Sequence, residues 1–139
     1  MTQTARDKLC KKRTEKIKVL ESNFADMTAG QRMLVATPMI IDGYIRSIPV
    51  GEHRTIRALR NTLAKRYKCD VTCPVSTAIF VRMSADAAIE AIDAGEPLTS
   101  VSPFWRLLTS KDKIAKRLTI DPDWIDHRRQ LEGLPVTPI

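Results

Sequence analysis

Ser102-Pro103-Phe104-Trp105-Arg106-Leu107-Leu108 is the stretch from which the rest of the chain is read. It sets two of the five Phe and Trp residues side by side behind a proline and ahead of an arginine. Pro103 withholds a backbone N–H, so the run predicts a strand entered from a loop, with side chains alternating between core and surface. Such an aromatic pair either closes a core or lines a pocket. The polar, basic segment that follows, Thr109 to Thr119, is expected to be a loop of the kind that forms a wing.

Working upstream, Cys73-Pro74 places a small residue before a proline that needs no N–H partner, which predicts a helix start. Val75, Ile79 and Phe80 or Met83 supply its apolar stripe, and the alanine-rich Ala85–Ala94 continues or resumes it up to Gly95. This second half carries Asp86, Glu90 and Asp93 and is expected to face away from any phosphate backbone. Before it, Thr55 starts a helix to about Tyr67 with Ile56, Leu59 and Leu63 inward and Arg57, Arg60, Lys65 and Arg66 on the other faces. Six basic residues and no acid lie between Arg54 and Lys68. Two helices joined by a short turn form a helix-turn-helix pattern. Thr37-Pro38 starts an earlier helix to about Ser47. Asp121-Pro122-Asp123 caps a last one, Trp124 to Glu132, stopping at Gly133. The expected core is Ile40, Ile41, Tyr44, Leu59, Leu63, Ile79, Leu107, Trp124 and Leu131.

At the N-terminus, Thr4 to Glu21 sets Leu9, Ile17 and Leu20 among seven Lys and Arg, which predicts a helix with a thin apolar edge and a cationic remainder. The expected layout is therefore a basic helical extension over 1–30, one domain over 31–134 and a disordered tail over 135–139. The fold class expected is mainly α, a winged helix-turn-helix domain with a small β wing.

The chain has 139 residues and a formal charge of +7, which favours an anionic partner such as nucleic acid. Three cysteines, Cys10, Cys69 and Cys73, lack the spacing of a disulfide framework, and no apolar run approaches membrane length, so a cytoplasmic protein is expected. Cys69 and Cys73 are four apart with no nearby third or fourth ligand, so buried thiols are expected rather than zinc. His53 and His127 stand beside no nucleophile motif, and the scattered glycines form no phosphate-cradling loop.

Taken in order, these elements resemble the DNA-binding C-terminal domain of alkylguanine-DNA alkyltransferases and the alkyltransferase-like proteins, from about Thr37 to Gly133. The residues that carry the resemblance are Ile48-Pro49-Val50-Gly51, Pro103-Phe104-Trp105-Arg106 where that family has Pro-Cys-His-Arg, and Arg128-Arg129-Gln130-Leu131-Glu132-Gly133. The departures decide what the resemblance implies. Phe104 stands in place of the acceptor cysteine and Trp105 in place of its histidine partner, so alkyl transfer is not expected. Ile56 falls where the family has a tyrosine that helps rotate the target nucleotide, and Thr77 approximately where an arginine fills the vacated stack. The resemblance therefore implies a non-catalytic protein of the DNA-repair kind that needs no cofactor or metal and binds duplex DNA with low sequence specificity. Phosphate contacts are expected from Arg57, Arg60, Lys65, Arg82, Arg106, Lys111 and Lys113, with Thr77 on the DNA side. Ile56, Phe104 and Trp105 would line a former alkyl pocket, with the Phe104 ring filling it. The alternative expectation is a protein partner docking on the aromatic strand and the N-terminal helix.

Overall fold

In the computed structural model, which describes residues 4–136, Thr37 accepts a hydrogen bond from Ile40 N at 3.2 Å and Pro38 occupies the first helical turn. This pair starts a helix, Pro38–Arg46, that becomes α2 once the N-terminal elements are counted. Those elements are α1 (Ala5–Cys10), β1 (Lys16–Val19) and β2 (Arg32–Val35). Thr55 caps α3 (Ile56–Arg66) by accepting from Ala58 N at 3.0 Å. Next come β3 (Val71–Thr72), α4 (Pro74–Asp93) and finally α5 (Pro122–Leu131), where Asp121 accepts from Asp123 N. Gly95 at φ +92 and Gly133 at φ +74 let the backbone turn left-handed just past α4 and α5, a conformation that costs a side-chain-bearing residue more. The fold is mostly helical with one small sheet of order β1-β2-β3.

The N-terminal expectation of one helix over Thr4 to Glu21 is corrected. Helix α1 lasts six residues, and Lys16–Val19 is a strand antiparallel to β2, with Ile17 opposite Leu34. Its Lys-Ile-Lys-Val alternation has the period of a strand, and pairing with β2 satisfies backbone groups that a solvated helix would satisfy internally. Strand β2 in turn pairs in parallel with β3, Met33 opposite Val71. The sheet thus crosses the expected boundary at residue 30. At the other end Leu134 is buried and the Pro135 carbonyl accepts from Arg129 Nε at 2.6 Å. The rest of the expected tail, 137–139, lies outside the described residues.

The aromatic run is also corrected, from strand to a 3-10 turn over Phe104–Arg106. Leu107 N and Leu108 N both return to the Phe104 carbonyl, at 3.1 and 2.9 Å. The turn therefore directs Phe104 and Trp105 into the protein together instead of alternating them. Both are fully buried. Their rings meet edge to face at 5.4 Å, and Trp124 stacks on Phe104 at 5.7 Å and 19°. Around them pack Ile41 and Ile45 of α2, Leu59 and Leu63 of α3, Val81, Ala85 and Ile89 of α4, and Ile125 of α5.

Of the expected core, Ile41, Tyr44, Leu59, Leu63 and Leu107 are buried, while Ile40 and Trp124 pack against it partly exposed. Ile79 and Leu131 are exposed, at 53% and 62%. On α4 the buried stripe runs instead through Thr77, Phe80, Val81, Ser84 and Ala85, which turns Ile79 outward; on α5 it runs through Ile125 and Arg129. One carboxylate inside the fold, Asp42 of α2, accepts from Ser84 Oγ of α4 at 2.7 Å, from Ser102 Oγ and from Arg46 Nε at 2.9 Å. It fastens α2, α4 and the loop before the aromatic turn to one another, and its partners offset the cost of desolvating it.

Candidate nucleic-acid interface

Helix α3 presents Arg57 and Lys65 to solvent two turns apart on one face, with Asn61 between them. Neither cation makes an ion pair among the described residues. Arg60 points elsewhere. Its guanidinium takes both oxygens of Asp26, at 3.0 and 3.1 Å, and donates through Nε to the Thr72 carbonyl at 2.9 Å. Thr72 Oγ1 returns a hydrogen bond to the Arg60 carbonyl at 2.7 Å. The Arg60 hydrogen bond holds the Asp26 carboxyl below its usual range. Arg60 is therefore a tie between α3, β3 and the loop after β1, its guanidinium engaged within the protein.

Thr77 is likewise turned inward. It is buried and its hydroxyl donates to the Cys73 carbonyl at 2.6 Å, one turn back in α4, so it is not available to fill a nucleotide stack. Arg82 of the same helix is exposed and lies 3.7 Å from Asp86. Lys111 and Lys113 are exposed in the segment after the aromatic turn, together with Lys116 and Arg117. That segment contains a 3-10 turn at Ala115–Arg117 and no strand, so the expected β wing is not formed there. The strands belong to the N-terminal hairpin and to β3.

Arg106 is likewise engaged within the protein. Its Nε and one terminal nitrogen donate to the two oxygens of Glu132, at 2.8 and 3.2 Å, and the other terminal nitrogen donates to the Ile48 carbonyl at 2.8 Å. Trp105 Nε1 donates to the same Glu132 carboxylate at 2.7 Å. The guanidiniums of Arg106 and Arg128 both lie over the Trp105 ring, at 5.6 and 5.8 Å. Burial pushes Glu132 up, but the hydrogen bonds from Arg106 and Trp105 and the Arg106 charge outweigh it and hold the carboxyl below its usual range. This cluster anchors the aromatic turn to the end of α5. Phe104 and Trp105, the aromatics expected on a docking surface, are both enclosed.

Ile56 packs partly buried against the core that encloses Phe104, so the three residues expected around a former alkyl pocket join a filled interior rather than an opening. His53 is half-buried and His127 exposed; Cys10 is exposed, Cys69 half-buried and Cys73 buried, and all three thiols are free. Among the described residues no group of three His, Cys, Asp or Glu side chains is placed to hold a metal ion, and no helix is long and apolar enough to cross a membrane.

Five of the eight residues expected to meet DNA thus remain on the surface. Arg57 and Lys65 share a helix face, and Arg82 and Lys113 line one groove together with Lys8 and Arg117. The roles of Lys8 and Arg117 were not marked by sequence reasoning, because only the packing of α1 and of the 109–119 segment beside α4 brings them there. Asp26 carried no local signal at all. Comparison of the chain with protein-family models, with curated proteins and with solved structures finds no match.

Proposed function

We propose that the chain is a non-catalytic DNA-binding protein of the alkyltransferase-like kind, holding duplex DNA mainly through its backbone phosphates. The observation that carries the reading is the sorting of its cations. Arginines placed in the interior, Arg60, Arg106 and Arg129, are each tied to carboxylates or carbonyls, whereas Arg57, Lys65, Lys111 and Lys113 are exposed and make no ion pair among the described residues. Charges kept in water are free to exchange their counterions for phosphates, which is the main source of sequence-independent affinity. In this reading α3 and α4 are the helix-turn-helix pair, the half of α4 up to Arg82 approaches a groove, and Lys111 and Lys113 take the place of a wing.

Alkyl transfer has no support in the residues. A phenyl ring at 104 offers no nucleophile, and no base neighbours it, because Trp105 Nε1 is a donor engaged by Glu132. The full burial of Phe104 favours plain duplex binding over recognition of an extruded base. The test is retention on a mixed-sequence duplex in low salt. Arg57→Glu with Lys65→Glu is expected to abolish it, while Arg57→Lys with Lys65→Arg keeps it. Retention that survives the charge reversal would overturn the proposal.

A further inference from the structure

The middle of α4, α1 and the segment after the aromatic turn enclose a groove of about 480 Å³, within the range of small-molecule sites. Its floor is apolar. Ile79 and Met83, one turn apart on α4, face Ile114, and Ile79 is left 53% exposed although the buried stripe of the same helix is well filled. Its rim is cationic, with Lys8, Arg82, Lys113 and Arg117, set against one carboxylate, Asp86. Asp86 engages Arg82 at 3.7 Å, whereas Lys113 and Arg117 make no ion pair among the described residues. An apolar floor beside two uncompensated cations is complementary to a ligand with a compact apolar body and one acidic head.

From this juxtaposition we infer that the groove binds a small amphipathic organic anion, its body on Ile79, Met83 and Ile114 and its carboxylate or phosphate between Lys113 and Arg117. The inference goes beyond DNA binding. Because Arg82 and Lys113 are shared with the proposed duplex surface, the groove is tested without DNA. A small ligand is favoured over a polymer because the apolar floor is short, two residues of one helix and one facing isoleucine, and three elements close it in.

The probe is anilinonaphthalene sulfonate, which joins a planar apolar body to one anionic group and brightens when desolvated. Titration of the full chain is expected to saturate at one site. Arg117→Glu and Ile79→Asp, both at exposed positions, should each weaken binding about tenfold or more, and Arg117→Lys should restore it. The uncharged counterpart, phenylnaphthylamine, should bind about tenfold less tightly. Millimolar octanoate and phenyl phosphate are used as displacing agents, and the stronger of the two tells a chain carboxylate from an aryl phosphate. Dye binding indifferent to both Arg117→Glu and Ile79→Asp would show adventitious adsorption only and overturn the proposal. So would equal affinity for the uncharged dye, or displacement by an acidic peptide or a single-stranded oligonucleotide with no response to either small anion.

Discussion

Glu132 ties the aromatic turn to the end of α5, accepting from Arg106 and Trp105 while Arg128 approaches to 3.9 Å. Because its folded carboxyl lies below the usual range, the stability it contributes is fully present above the unfolded value near pH 4.3 and is lost as pH falls through the folded one. Removing the charge leaves the half-buried Arg106 without a counterion. Glu132→Gln is accordingly expected to cost about 3 kcal/mol in urea unfolding at neutral pH, and to flatten the acid limb of the stability profile. An unchanged acid limb would show that other carboxylates set it. At the centre of the core, Phe104→Ala opens a cavity among Trp105 and Trp124 and should cost about 4 kcal/mol by the same measurement. The caps at Thr37, Thr55 and Asp121 were legible in the sequence because each closes on a backbone N–H within three residues. The fates of Arg60 and Arg106 were not, since their carboxylate partners stand 34 and 26 residues away.

The helices follow from local rules and the aromatic turn does not. Thr-Pro and Cys-Pro start α2 and α4, and a glycine follows the end of α4 and of α5, in the sequence as in the structure. Thr55→Ala should therefore lower stability by about 1 kcal/mol in thermal or urea unfolding through loss of the α3 cap. For Phe104–Arg106 the sequence predicted a strand, and the turn found instead is held by the Trp124 ring, Glu132 and the Ile48 carbonyl, which arrive from distant segments. The N-terminal strand shows a similar competition. Ile17 and Leu20 have helical spacing and Ile17 and Val19 have strand spacing, and only the presence of β2 decides between them. On α3, Arg57 and Lys65 are exposed, so the double charge reversal that is expected to abolish duplex retention should move unfolding by no more than about 0.5 kcal/mol per site. A large loss of stability would instead assign these cations a structural role.

Across the whole molecule, with its +7 charge, several carboxylates are engaged in ties between elements. Asp42, Asp26 and Glu132 bind internal arginines or hydroxyls, and Glu90 of the acidic half of α4 accepts from Ala5 N and Arg6 N, at 2.8 and 3.3 Å, at the start of α1. The net charge led to the expectation of an anionic partner but not to which cations would stay exposed; folding engages Arg60 and Arg106 internally, buries Thr77, and leaves Arg57, Lys65, Arg82, Lys111 and Lys113 on the surface. Each phosphate neutralised on a duplex contributes a slope of about 0.9 to the dependence of log K on log salt. The most direct test of the central claim is thus the affinity of the intact chain for a mixed-sequence duplex over a range of salt concentrations. Five contacts predict a slope of about −4 to −5, falling in magnitude by about 2 in the Lys111→Glu, Lys113→Glu double variant. Affinity that does not change with salt, or no measurable affinity at low salt, would contradict it.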